Sequence, residues 1–168
     1  ILYADEALKT FFERVAQRPE WKNTVFVITG DHRLPEIPMA TRIERYHVPL
    51  LVYAPMLRAP ARIKALSSHV DIAPALLAML SHRYDWPLPQ RVHWMGTGLD
   101  VHPQWRNLHT VALKQTKTEL SDYISGAYYL AQGKLYSLQD GLVTTPEENT
   151  TLTQALRAEF DTLQARLR

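Results

Sequence analysis

The residues best suited to chemistry in this sequence are an aspartate and a histidine that stand side by side, Asp31 and His32. They follow Gly30 and the apolar run of residues 24–29, which is typical of a buried strand. Ligand sites in open α/β sheets lie beyond the carboxyl ends of strands. A carboxylate oxygen beside an imidazole nitrogen suits Zn²⁺ or Mn²⁺. The pair therefore predicts a metal site, and the alternative is a structural role in which the aspartate caps a turn.

The elements around this pair indicate an α/β core with an antiparallel extension. Apolar periodicity predicts helices over residues 3–18, 67–80 and 150–168. β-Branched and aromatic runs predict strands over residues 24–29, 48–53, 110–113, 121–125, 127–131 and 134–138. The first strand is apolar throughout, which favours a parallel strand buried on both faces. A loop is predicted over residues 33–46.

Composition narrows the possible classes of protein. The 19 basic and 17 acidic residues nearly cancel, so charge gives no argument for a nucleic-acid partner. The sequence has no cysteine, so any metal must be held by oxygen and imidazole nitrogen. No apolar run reaches the roughly 18 residues of a membrane span. The first residues lack both an initiating methionine and the pattern of a signal peptide, so we expect a longer parent protein.

Four segments resemble the sulfatase family, and they occur in the family's order. Residues 23–32 resemble its apolar strand that runs into Asp-His, and residues 47–55 (His-Val-Pro-Leu-Leu-Val-Tyr-Ala-Pro) resemble its second strand. Residues 68–77 are similar to its helix start, and residues 133–138 followed by 147–149 are similar to its closing pattern. The chain is therefore identified as resembling the sulfatase and lipoteichoic-acid-synthase branch of the alkaline phosphatase superfamily.

The resemblance implies that the chain is the C-terminal part of a catalytic domain. The expected fold is α/β, with an alkaline-phosphatase-like sheet flanked by helices and a small antiparallel extension. Core segments are expected over about residues 1–81, and an irregular excursion over about 82–109. An antiparallel unit and a closing helix are expected over about 110–168.

The resemblance also implies the roles of particular residues. Asp31 and His32 are the expected metal ligands, with Mn²⁺ or Zn²⁺ as the ion and Mg²⁺ or Ca²⁺ as alternatives. The family's nucleophile and further acidic ligand are expected upstream of this chain. We therefore expect no catalytic nucleophile here and no activity from the chain alone.

Two further residues are candidates for substrate binding. Arg33 stands where many sulfatases have glycine, which favours the lipoteichoic-acid-synthase-like branch. Its guanidinium fork matches sulfate and phosphate oxygens, although a solvated loop arginine is the alternative. His47 precedes the second strand and is a candidate contact to a substrate oxygen, or a loop histidine without that role. The remaining loop histidines that we expect to be solvated are His82, His102 and His109.

The function that the resemblance implies is a metal-dependent hydrolase or transferase of phosphate or sulfate esters. A phosphoglycerol-transferase-like envelope enzyme is the first expectation. An aryl or carbohydrate sulfatase, or an inactive fragment that binds without catalysis, are the alternatives. The substrate would be an ester on a lipid headgroup or glycan. The parent protein is expected to be membrane-anchored upstream, on the extracytoplasmic face of the bacterial inner membrane or in the periplasm.

Overall fold

The computed structural model describes residues 2–116 and 118–167, which form a mixed α/β structure as predicted. The helices are α1 (Leu2–Val15), α2 (Ile72–Tyr84) and α3 (Thr150–Arg166). The strands are β1 (Phe26–Thr29), β2 (Leu50–Tyr53), β3 (Thr110–Lys114), β4 (Leu120–Ser125), β5 (Tyr128–Ala131), β6 (Lys134–Gln139) and β7 (Val143–Glu147). The predicted end of the last helix, at Arg168, lies outside the described residues. Within these residues, no helix has the length and apolarity to cross a membrane.

The chain forms two compact units, residues 1–61 and 62–168. In the first unit, β1 and β2 pair antiparallel, with Phe26 opposite Tyr53 and Thr29 opposite Leu50. The prediction of a parallel strand buried on both faces was therefore wrong. β1 is half-buried up to its exposed last residue, and all four residues of β2 are exposed. An unbroken apolar run indicates a hydrophobic strand, but it does not specify whether the neighbouring strand runs parallel or antiparallel to it.

An aromatic cluster holds the far end of this strand pair. The ring centroid of Phe12, on α1, lies 5.0 Å from that of Phe26 and 5.9 Å from that of Tyr53. Trp21 adds a further ring, 5.3 Å from Phe26. Edge-to-face and tilted ring pairs contribute about 0.5–1.5 kcal/mol each beyond their buried area. The cluster therefore fixes the Phe26–Tyr53 end, and the chain leaves β1 at the opposite end.

The second unit contains a five-stranded antiparallel meander in the order β3-β4-β5-β6-β7. Gln132 and Gly133 both have positive φ between β5 and β6, the pattern of a two-residue type I′ hairpin. The sequence analysis predicted both strands of this hairpin, over residues 127–131 and 134–138, but did not predict β7. That strand contains Pro146 and lies at the edge of the sheet, where a residue without an amide hydrogen is tolerated.

Helix α3 packs on one face of this sheet through a buried apolar cluster. Its members from the sheet and the helix are Tyr123, Leu130, Leu135, Leu156 and Phe160. The helix begins after Asn149, whose side-chain oxygen accepts a 3.0 Å hydrogen bond from the amide of Leu152. This bond satisfies one of the amides that a helix start leaves unpaired.

The segment predicted as an irregular excursion is anchored by a buried carboxylate, Asp71. Its side chain accepts hydrogen bonds from the amide and hydroxyl of Ser68, at 2.8 and 3.0 Å, and from the amide of Thr97, at 2.9 Å. Gly96 makes the approach possible, because a Cβ atom there would lie 1.9 Å from the carbonyl oxygen of Val70. The excursion is therefore packed against the start of α2.

A second carboxylate, Asp100, stabilises the same segment. Arg106 donates two hydrogen bonds to it, at 2.7 and 2.8 Å, and the amide of His102 donates a third. The Asp100 side chain is almost fully buried. The bonds from Arg106 hold the pKa of Asp100 below its ordinary value of 3.8.

We expect the Leu156→Ala variant to lose about 2–5 kcal/mol in free energy of unfolding, because it opens a cavity between α3 and the sheet. Leu108→Ala removes the same atoms from a side chain that is 69% exposed and should change stability by less than about 0.5 kcal/mol. Urea denaturation monitored by circular dichroism measures both variants. Equal effects would contradict the packing described for α3.

We expect Asp100→Asn to reduce stability in a pH-dependent way. A carboxylate whose pKa is depressed by folding contributes stability that is complete above its unfolded pKa and is lost as pH falls through its folded pKa. The difference in unfolding free energy between wild type and variant should therefore be constant above about pH 5 and shrink below 3.8. Asp161→Asn, at an exposed position, is the control. A difference that persists unchanged at the lowest pH would argue against the ion pair as its cause.

Candidate metal centre

The candidate site begins where β1 ends, and the antiparallel pairing determines its neighbours. The hydroxyl of Thr29 donates a 2.9 Å hydrogen bond to the carbonyl of Pro49, just before β2. Gly30 lies close to Val48, and a Cβ atom on Gly30 would be 3.4 Å from the Val48 Cβ and 3.2 Å from the carbonyl oxygen of His32. Its φ is not in the left-handed region, so the glycine provides space here. The loop after β1 is therefore held against the segment that enters β2.

Backbone groups orient the two predicted metal ligands. The amide of His32 donates a 3.0 Å hydrogen bond to Oδ1 of Asp31, which leaves Oδ2 as the outward oxygen. Nδ1 of His32 lies 2.7 Å from the carbonyl oxygen of Arg33. A carbonyl oxygen only accepts, so Nδ1 carries the hydrogen and Nε2 of the neutral ring has a free lone pair.

The two free donor atoms face one another. Oδ2 of Asp31 and Nε2 of His32 are 3.7 Å apart. Metal–oxygen and metal–nitrogen distances at zinc are about 2.0–2.2 Å, so two ligands of one ion can be separated by at most about 4.3 Å. The pair fits a shared ion, and metal binding by these residues stays a prediction. Their side chains are 90% and 70% exposed, which leaves the other side of such an ion accessible.

Arg33 uses its guanidinium on its own loop in this structure. Nη1 donates to the carbonyls of Leu34 and Ile37, and Nη2 donates to the carbonyl of Pro35 at 3.0 Å. Substrate binding by Arg33 stays a prediction, and it would require the side chain to use its remaining donors or to leave these carbonyls.

His47 is exposed and precedes β2 by three residues. The paired residues end at Thr29 and Leu50, and beyond them Gly30 lies close to Val48, the residue that follows His47. The predicted metal ligands, Asp31 and His32, and the predicted substrate residue, His47, therefore lie at the same end of the strand pair. Across residues 2–116 and 118–167, no three His, Cys, Asp or Glu side chains form a group that could hold a metal ion.

One histidine differs from its sequence prediction. His82 is exposed as expected and His102 is half-buried, but the side chain of His109 is only 8% exposed. Its Nδ1 lies 3.1 Å from the hydroxyl of Thr97 and 3.6 Å from Oδ1 of Asp71. His109 is thus buried beside the carboxylate that anchors the excursion. The sequence carried no signal for this, because a lone histidine before a predicted strand resembles a solvated one.

Comparison with known proteins assigns the segment that contains the candidate site to a family. Residues 1–82, which are 82 of the 168 residues, match the family model named Sulfatase. This match is consistent with the sulfatase and alkaline phosphatase superfamily, and it confirms the resemblance at that level. A sulfatase-family segment indicates a hydrolase that acts on sulfate or phosphate esters. No solved structure matches the chain.

We expect Asp31→Ala and His32→Ala each to weaken the binding of Mn²⁺ or Zn²⁺ by at least tenfold. Losing a residue that merely supports a ligand already costs about 10–100-fold, so losing the ligand should cost no less. Isothermal titration calorimetry of the full-length protein measures the affinity. Glu36→Ala removes an exposed carboxylate from the same loop and should leave it unchanged. Wild-type affinity in both ligand variants would refute the assignment.

Proposed function

We propose that the protein is a metal-dependent enzyme of the phosphoglycerol-transferase type, which transfers or hydrolyses a phosphate ester. The observation that carries the proposal is the convergence of Oδ2 of Asp31 and Nε2 of His32, 3.7 Å apart. These atoms stand directly after β1, within the segment that matches the sulfatase family. A divalent ion is the ligand that best accounts for a carboxylate and an imidazole held in this arrangement by backbone hydrogen bonds.

In the proposed reaction, the metal ion and the residues of the chain have different roles. A bound divalent ion would offset the charge that develops on the transferring group and lower the pKa of an attacking hydroxyl. Asp31 and His32 would hold that ion at the end of β1. Their exposure leaves space for further ligands and for an ester. We propose that the nucleophile and another acidic ligand come from sequence upstream of this chain, as the family resemblance implies.

His47 is proposed to contact an oxygen of the substrate. Its support is the end of the strand pairing at Thr29 and Leu50, where the segment before β2 and the Asp31–His32 segment both leave the strand pair. Beyond the last paired residues, Gly30 still packs against Val48, so the two segments remain in contact there. An exposed imidazole at this edge can donate a hydrogen bond to a phosphate or sulfate oxygen.

The finer substrate class is proposed from the family resemblance and from Arg33, which follows His32 in place of the glycine of many sulfatases. We propose a phosphate ester on a lipid headgroup or glycan. We also propose that the parent protein is membrane-anchored and works on the extracytoplasmic face of the bacterial inner membrane or in the periplasm.

The full-length protein should hydrolyse bis(p-nitrophenyl) phosphate with Mn²⁺ present and act more slowly on p-nitrophenyl sulfate. Asp31→Asn should lower kcat by at least about 100-fold, because a catalytic metal contributes several kcal/mol and each 1.4 kcal/mol or so is tenfold. Glu36→Gln is the matched control in the same loop.

The 168-residue chain alone should show no turnover of either ester. Turnover by the chain alone that disappears in Asp31→Asn would place the nucleophile within these residues. A preference of the full-length protein for the sulfate ester would identify a sulfatase instead of a phosphotransferase.

A further inference from the structure

We infer that Arg33 is a positioning residue for His32: it holds the histidine ring so that Nε2 is free for the metal. This role would replace the substrate contact that the sequence predicts for Arg33. The inference rests on the proposed function for its consequence, since it concerns the same site. Its structural part, the state of the His32 ring, can be measured without any metal.

The first step is the hydrogen bond from the ring to the backbone. Nδ1 of His32 donates to the carbonyl of Arg33 at 2.7 Å, and this bond fixes both the tautomer and the rotation of the ring. The His32 side chain is 70% exposed. The ring has two polar neighbours, the Arg33 carbonyl at 2.7 Å from Nδ1 and Oδ2 of Asp31 at 3.7 Å from Nε2, and only the first is at hydrogen-bond distance. The bond to the Arg33 carbonyl therefore sets the direction in which Nε2 points.

The second step is what holds that carbonyl. The carbonyl of Leu34 accepts a 2.9 Å hydrogen bond from Nη1 of Arg33 and a 3.2 Å hydrogen bond from the amide of Ile37. Nη1 also donates to the carbonyl of Ile37, and Nη2 donates to that of Pro35. The guanidinium thus bridges three carbonyls of the turn that follows it. The turn restricts rotation of the peptide between residues 33 and 34, and the direction of the Arg33 carbonyl follows from that peptide.

The third step concerns why arginine is required. A planar guanidinium carries five N–H donors in a fixed arrangement and can bond several carbonyls at once. Lysine carries the same charge on a flexible stem, with three donors at one point. Charge alone would therefore not reproduce the bridge, and Arg33→Lys separates positioning from electrostatic attraction of an anion.

The first test reads the tautomer of His32 in the metal-free full-length protein by long-range ¹H–¹⁵N NMR, at a pH where the ring is neutral. In wild type, Nδ1 should carry the hydrogen. In Arg33→Ala and Arg33→Lys, the hydrogen should redistribute between Nδ1 and Nε2. Arg58→Ala, an exposed arginine in another loop, should keep the wild-type pattern. Backbone amide spectra establish that each variant is folded.

The second test measures Zn²⁺ affinity and phosphate affinity of the same proteins. Arg33→Ala and Arg33→Lys should each weaken Zn²⁺ by about 10–100-fold, the usual cost of losing a partner of a metal ligand. Inorganic phosphate should bind the Zn²⁺-saturated variants as it binds wild type.

Three results would overturn the inference: a wild-type ring with its hydrogen on Nε2, full Zn²⁺ affinity in both variants, or weakened phosphate binding with Zn²⁺ affinity intact. The last would make Arg33 a substrate residue. If Asp31→Ala leaves Zn²⁺ affinity unchanged, the proposed function fails, but the tautomer measurement still decides whether Arg33 orients His32.

Discussion

The pairing of Thr29 with Leu50 places the residues of the candidate site. It ends β1 beside the start of β2, so the segment carrying Asp31 and His32 lies against the segment carrying His47. A shift of the register by one residue would reverse which side each following residue faces. The aromatic cluster at the Phe26–Tyr53 end holds this register without occupying the site. The aromatic cluster that stabilises the strand pair and the candidate metal site thus lie at opposite ends of it.

Backbone groups orient the candidate metal ligands here, a role that side chains fill in many metal sites. An amide holds one oxygen of Asp31, and a carbonyl holds one nitrogen of His32. Such bonds depend on the loop conformation and not on the identity of a neighbouring side chain. Arg33 is the exception, because its side chain shapes the loop that supplies the carbonyl. The second unit uses a comparable arrangement for stability, where buried Asp71 accepts three donors and anchors a long excursion.

Local patterns in the sequence predicted the helices, the two strands on either side of Gln132 and Gly133, and the position of Asp31 and His32 after a strand. These features depend on neighbours within a few residues. Two features depended on distant contacts and were missed: the antiparallel direction of β2 and the burial of His109. The edge strand β7 was missed although it pairs with the preceding strand, because Pro146 interrupts its pattern. Asp71 and His109 are adjacent only after the excursion has folded. The bridge from Arg33 to the loop carbonyls was also missed, because a charged loop residue gives no sequence signal that distinguishes a backbone contact from a substrate contact.

The two sheets differ in how much chain must be ordered before they form. The meander is built from neighbouring strands, and two residues connect β5 to β6. The hydrogen bond from Thr29 to Pro49 joins residues 20 positions apart, so the loop that bears the site must close before that bond can form. Loop closure costs entropy that grows with loop length, and non-local pairings are slow to form. Closing the loop that bears the candidate metal ligands therefore costs more entropy than closing the β5–β6 hairpin, and an ion that binds only the closed loop would offset that cost by mass action.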